Sequence, residues 1–288
     1  MKLVIFGMGY TARALLDEWP DDWPCDVVAT TRSSDKAQAL AGQGLTARVF
    51  PGDDLAADLA GASHVLVTAG PSDGRDPVLA HLRDAFANAA PHLDWVGYLS
   101  TTGVYGDHAG GWVDEETPLA PSTARGRARV ATEAEWQALH RDHGLPLHIF
   151  RLAGIYGPGR GPFERVRDGT ARRIIKPGQV FSRCNVEDIA QVLIASIRQP
   201  NPGRVYNVCD DDPAPPEDVI AHAAALLGLP LPPEIPFEEA DLSPMARSFY
   251  AESKRVSNDR IKTELGVRLR YPDYRTGLAR LLSAEDAE

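Results

Sequence analysis

Short apolar runs alternate with amphipathic stretches over about the first 155 residues of the chain. The runs predict strands at 3–6, 26–30, 47–50, 64–68, 95–100 and 147–152, and the stretches between them predict helices at 12–18, 34–40, 77–90 and 125–143. Strands rich in Val, Ile and Leu, separated by helices, imply a parallel sheet covered on both faces. Sheets of this kind hold their ligands at the carboxyl ends of the strands. The alternation breaks at Gly157-Pro158-Gly159-Arg160-Gly161-Pro162. A short helix and strand follow, then a helix at 186–198 and a strand at 204–208 that returns to the sheet. A proline-rich tract at 210–216 opens a mixed C-terminal region whose last residues, 284–288, are expected to fray.

The expected fold class is thus α/β, a Rossmann-type doubly wound parallel sheet with a smaller C-terminal substrate lobe. Residues 1–157 and 182–210 form the nucleotide-binding part, and 158–181 and 211–288 the lobe. At 288 residues the chain is long enough for a full core. A net charge of −10 argues against a nucleic-acid surface, which needs clustered Lys and Arg. Three well-separated cysteines fit reduced thiols better than a disulfide framework. No apolar run approaches the roughly 18–20 residues of a membrane span, and Met1–Gly7 reads as a strand, so no signal peptide is expected. A cytoplasmic protein without a membrane partner is the expectation.

The first strand runs into Gly7-Met8-Gly9-Tyr10-Thr11-Ala12 and then a helix. Gly7 suits a tight turn, Gly9 lets a pyrophosphate approach the backbone, and Ala12 lets the helix pack close. The bland alternative is a tight turn with no ligand. After the second strand, where an NAD site carries an acid for the ribose, stand Thr31-Arg32-Ser33. An arginine among hydroxyls suits a 2′-phosphate, which points to NADP over NAD; the alternative is a solvated Arg. Thr68-Ala69-Gly70-Pro71 end the fourth strand in small residues that leave room for a cofactor. Asp76-Pro77 reads as a helix start.

Further motifs follow in order: Ser100-Thr101-Thr102-Gly103-Val104-Tyr105-Gly106-Asp107, Val113-Asp114-Glu115 with Pro118 and Pro121, and Gly126-Arg127-Ala128-Arg129 with Glu133. Arg151-Leu152-Ala153-Gly154-Ile155-Tyr156-Gly157-Pro158-Gly159-Arg160 and Asn185-Val186-Glu187-Asp188-Ile189-Ala190 complete the series. Together they resemble the extended short-chain dehydrogenase/reductases, the NAD(P)-dependent epimerase/dehydratase family, and in particular its atypical members. The glycine loop is one residue shorter than is usual there. The resemblance implies that Thr101 hydrogen-bonds a substrate oxygen and that Ser100, Leu152 and Gly154 lie beside the cofactor, with Thr102 and Tyr156 toward the substrate. It also implies a Tyr four residues before a Lys on the next helix, a phenol activated by an ammonium. Aligned through Gly126 and Glu133, this chain has Arg125 and Arg129 there. Arg129 supplies charge and donors, whereas a guanidinium at 125 cannot relay a proton and is left to the substrate.

Tyr250-Ala251-Glu252-Ser253-Lys254 matches Tyr-x-x-x-Lys far from the expected place. Accident is the better explanation of the spacing, with Tyr250 kept as a phenol that reaches the pocket from the C-terminal lobe. Arg160, Arg183 and Arg247 are candidate anchors for an anionic substrate, each equally readable as a structural ion pair. His140 and His143 lack a third metal ligand, so no metal is expected; Cys184 and Cys209 read as core. Two functions stay open. One is an NADP-dependent oxidoreductase or epimerase acting on a sugar nucleotide or another small polar carbonyl or alcohol. The other is an NADP(H)-binding regulatory or redox-sensor protein without turnover. The resemblance further implies a homodimer through the helices at 77–90 and 125–143.

Overall fold

The computed structural model describes residues 1–285. Its centre is a seven-stranded sheet: β1 (Lys2–Phe6), β2 (Asp26–Thr31), β3 (Thr46–Val49), β4 (His64–Val67), β5 (Trp95–Thr101), β6 (Leu147–Leu152) and β7 (Val205–Val208). The spatial order is β7-β6-β5-β4-β1-β2-β3, and every pair is parallel. The first five strands are each followed by a helix of the same number, α1 (Tyr10–Asp17), α2 (Ser34–Gly42), α3 (Ala56–Ala60), α4 (Leu79–Ala89) and α5 (Ala124–His143), and β6 is followed by α6 (Val186–Arg198) only after a segment that holds the short helix Phe163–Arg167. Strand order reverses between β1 and β4, the switch point at which this doubly wound, Rossmann-type fold binds ligands.

The period of two in each strand builds the two layers. Val4 and Phe6 join Val65, Val67, Val96 and Tyr98 on one face, against Phe86 of α4 and Trp136 of α5. Leu3 and Ile5 face the other way and meet Leu15 of α1 and Ile189 and Leu193 of α6. Asp76 is a helix start, as its sequence suggests. Its carboxylate accepts from the Val78 and Leu79 N–H groups at 2.8 and 2.9 Å, and also from Trp136 Nε1 at 3.1 Å.

A further cluster lies beyond β6 and β7: Tyr156, Phe163 and Val166 pack against Val219 and Ala223 of α7 (Pro216–Leu226) and Leu278 of α8 (Tyr274–Glu285). Short pairings stitch this region together, Glu234–Pro236 to Arg173–Ile175 and Arg255–Val256 to Trp112–Val113. The expected fraying at 284–288 is not seen at Ala284 and Glu285, which close α8, where Glu285 pairs with Arg167 at 2.5 Å. The remaining three positions lie outside the described residues.

A buried polar network ties the carboxyl ends of three strands. Arg151 on β6 pairs with Glu133 of α5 at 2.8 Å, and Glu133 also accepts from Ser100 Oγ at 2.5 Å. Arg151 donates to Tyr105 Oη at 2.9 Å, which in turn donates to Asn207 on β7 at 2.7 Å. Every member is satisfied, and removing one partner would leave an uncompensated buried charge. Glu133→Leu is therefore expected to destabilise the fold by about 3–5 kcal/mol, read as a lowered midpoint in urea unfolding.

Candidate active site

The nucleotide turn is built by β1 and α1. Gly7 has φ +97°, a left-handed conformation that favours glycine, and a Cβ there would lie 2.7 Å from Thr68 Oγ1. Thr30 Oγ1 accepts from Gly7 N–H at 3.0 Å, and Thr68 Oγ1 donates to Gly7 O at 2.5 Å, which locks the turn between β2 and β4. Gly9 caps α1 with no side-chain hydrogen bond, and a Cβ on Gly9 would meet only Gly7 O at 4.0 Å. The first-turn N–H groups of α1 thus face a space that a side chain would otherwise fill, a donor set that fits a pyrophosphate. Thr11 and Ala12 are buried against the sheet, while Met8 is half-buried.

Thr31 is buried at the end of β2, Arg32 is exposed, and Ser33 Oγ caps α2 by accepting from Lys36 N–H at 3.3 Å. Its hydroxyl proton stays available as a donor. Arg32 forms no ion pair or side-chain hydrogen bond among the described residues. Ala69, Gly70 and Pro71 are half-buried beyond β4.

Arg129 rises from α5 into the notch between β4 and β5. Its Nη1 donates to Tyr98 Oη at 2.7 Å and to Leu99 O at 3.0 Å. Gly70 backs onto it: a Cβ there would lie 2.5 Å from Nη2. Its Nε is buried without a partner. Gly126 lets α5 approach the turn after β5, since a Cβ on it would lie 2.9 Å from Gly103 O. That approach leaves Arg125 exposed, its guanidinium 4.7 Å from the Phe249 ring centre.

Beside this notch opens a cavity of about 590 Å³. Thr101, Thr102, Arg125, Gly154, Tyr156, Arg160, Arg183 and Tyr250 all line it. Thr101 Oγ1 accepts from Gly103 N–H at 3.2 Å. Tyr10 Oη donates to Pro158 O at 3.0 Å, and the Arg160 guanidinium lies 5.7 Å from the Tyr10 ring centre, so the nucleotide turn touches the cavity wall. Tyr250 is wedged between Phe237 and Phe181, at centroid distances of 5.2 and 5.4 Å. Burial, reinforced by the Glu217 carboxylate, pushes its phenol above the usual range. Lys254 does not activate it: its Nζ donates to Glu252 and to Gly106 O, each at 2.7 Å.

Other candidates are engaged in structural contacts. Ser100 gives its hydroxyl to Glu133 inside the buried network, and Leu152 packs in the core. Arg247 is not on the cavity wall; it stacks on Phe237 and donates to Ala240 O at 2.8 Å. Tyr156 is buried against Gly277, its hydroxyl unpartnered, and burial pushes that phenol up. His140 is structural, its Nδ1 2.7 Å from Leu145 O, and no metal-binding cluster occurs among the described residues. Cys184 and Cys209 are fully buried, with thiols held well above the ordinary range by burial.

The sequence profile of the NAD dependent epimerase/dehydratase family matches residues 4–209. The chain belongs to this family. Protein YeeZ of Escherichia coli (strain K12) is 30% identical over 288 residues, covering 94% of this chain and 97% of that protein. The structure of a functionally unknown conserved protein from Silicibacter pomeroyi DSS is 57% identical, with TM-score 0.91 over 99% of both chains. UDP-glucuronic acid 4-epimerase from Bacillus cereus, solved in complex with NAD, is 17% identical with TM-score 0.77 over 99% of both chains, a likeness of fold. No helix among the described residues of this epimerase/dehydratase family member is long and apolar enough to cross a membrane.

Two wall arginines were not among the residues expected from the sequence, Arg165 and Arg172. Their signal was present: residues 160–173 hold five arginines against two acids in a chain of net charge −10. A direct test of the turn is Gly9→Ala. Position 9 has φ −108°, which alanine adopts freely, and the added methyl meets no protein atom closely. The variant is expected to keep its thermal midpoint yet lose affinity for NAD(P) by about tenfold or more, measured by calorimetry.

Proposed function

We propose that this chain is an NADP-dependent oxidoreductase acting on a carbonyl or alcohol held in the arginine-lined cavity. The observation that carries the reading is the Tyr10–Pro158 clasp with Arg160 over Tyr10, which sets the open α1 terminus beside the cavity that Thr101 lines. Gly7, Gly9 and the α1 N–H groups would hold the pyrophosphate. Thr31, Arg32 and Ser33 would hold the 2′-phosphate, and Arg129 the nicotinamide ribose. Bound NADP(H) supplies or accepts the hydride. Thr101 accepts its hydrogen bond from the backbone, so its own proton is free to polarise a substrate oxygen. Arg129, anchored on Leu99 O and Tyr98, keeps a fixed positive charge near the reacting end.

The proton is the distinctive point. Position 125 is an arginine, and the phenol on the cavity wall, Tyr250, is held protonated by burial. Such a phenol donates rather than accepts near neutrality, which suits carbonyl reduction better than alcohol oxidation. Arg125, with this raised phenol, also favours the second reading, NADP(H) binding without turnover.

One experiment separates these readings. NADPH is expected to bind more tightly than NADH, and Arg32→Ala to weaken NADPH by about tenfold while leaving NADH unchanged. NADPH oxidation against a panel of small carbonyls then reads turnover, and Tyr250→Phe is expected to lower kcat by about 10²-fold or more. Equal NADH binding overturns the NADP assignment. Tight NADPH binding with no turnover gives the regulatory reading.

A further inference from the structure

The cavity wall carries Arg125, Arg160, Arg165, Arg172 and Arg183, and none of the five forms an ion pair among the described residues. Such a concentration of unpaired cations in a chain of net charge −10 marks a place for a negative ligand. Much of the rest of the wall is apolar or aromatic: Ile174, Val180, Val219 and Ile220, with the rings of Phe181 and Tyr274. No Asn, Gln, Asp or His lines the cavity among the described residues. Its carboxylate, Glu252, is held by Lys254 at 2.7 Å and by Ser122 Oγ at 2.6 Å. Among the hydroxyls, Thr101, Thr123 and Ser182 each already accept from a backbone N–H. The wall is thus rich in donors and poor in free acceptors, so a buried sugar ring would leave some of its own O–H donors short of partners, at about 1–3 kcal/mol each.

Arg183 is the best-formed anchor. Its Nη1 donates to Phe181 O at 2.9 Å and Ala214 O at 3.1 Å, which fixes the guanidinium and leaves its other nitrogens to a ligand. Burial lowers its pKa, so its charge wants a partner. The carboxyl that acts on it is Asp210, 2% exposed, with both oxygens unpartnered. Burial pushes the Asp210 carboxyl up to about 8, and it forms no ion pair with Arg183. Arg165 lines the same cavity as Arg183 and Tyr250, and its side chain makes no ion pair or hydrogen bond among the described residues.

We infer that the cavity takes an amphiphilic organic anion, a carboxylate on an aromatic or alicyclic body. The body packs among Tyr250, Tyr274 and the aliphatic wall, and the carboxylate sits on Arg183 and Arg165. This rests on the oxidoreductase reading for where the reacting carbonyl lies and narrows its substrate class.

The test is calorimetric titration of the full chain, first with NADP⁺ alone. The NADP⁺-saturated protein is then titrated with 4-coumarate, phenylpyruvate, cyclohexanecarboxylate, 4-coumarate methyl ester and UDP-glucose. At least one acid is expected to bind below about 1 mM and more tightly than UDP-glucose, with the ester at least about tenfold weaker than 4-coumarate if that acid binds. Arg165→Gln and Arg183→Gln are each expected to weaken the acid by about tenfold or more with NADP⁺ affinity unchanged. Arg183 also satisfies two carbonyls, so the exposed Arg165 is the variant free of a folding role. Tighter binding of UDP-glucose, equal binding of ester and acid, no response to Arg165→Gln, or no acid bound at about 1 mM overturns the inference. If NADP⁺ fails to bind while an acid binds the free protein, the oxidoreductase reading fails and the cavity assignment stands.

Discussion

The Glu133–Arg151 pair is the constraint on which the rest of the site depends. Glu133 comes from the middle of α5 and Arg151 from β6, so one buried contact fixes the helix that carries Arg125 and Arg129 against the sheet. Ser100 and Tyr105 join from either side of the turn after β5, and that turn presents Thr101 and Thr102 to the cavity. Asn207 extends the grip to β7. In a dry interior such a network is favourable because every donor and acceptor is matched. Thus an ion pair off the cavity wall determines where the cavity-facing groups stand.

Close backbone approaches then set the details. Gly126 admits the start of α5 to the Gly103 carbonyl, and Gly70 yields its side-chain space to the Arg129 guanidinium. The Tyr10 hydroxyl on Pro158 joins the nucleotide turn to the first segment of the lobe. Arg129 occupies the notch with its charge anchored by a carbonyl and a phenol, where a flexible lysine would be held less rigidly.

Six of the seven sheet strands were legible as largely apolar, largely buried runs; β3, Thr46–Val49, is a half-exposed edge strand marked only by Ala47 and Val49. Helix starts were less so: α1 begins at Tyr10, two residues before the expected start at 12, because Gly9 is its cap. The helices after residue 210 are short or alanine-rich and pack on two different clusters, Ile261 and Leu265 on the sheet core and Val219, Ala223 and Leu278 on the outer one, so no single periodicity marks them. Within the site, Gly7 and Gly9 announce themselves by following a strand, as do Thr101 and Thr102. Arg247 and Tyr250 show the limit: both belong to one short segment around Pro244–Phe249, yet the phase of that turn sends Tyr250 to the cavity and Arg247 to Ala240. Ser100 sits beside Thr101 in sequence, but strand alternation turns it into the core network. Such differences are settled by long-range packing, which no local pattern encodes.

The arginine-lined cavity in an acidic molecule has a kinetic consequence. From afar an anion meets a net charge of −10 and is repelled; only within the mouth does it feel the unpaired guanidinium groups. At about 0.1 M salt the screening length is about 10 Å, so the outer repulsion fades while the partly enclosed attraction survives. Added salt then hastens the arrival of an anion before it weakens the hold, the reverse of the usual behaviour of a protein steered by opposite charge. Encounter and retention are governed here by different parts of the same charge distribution.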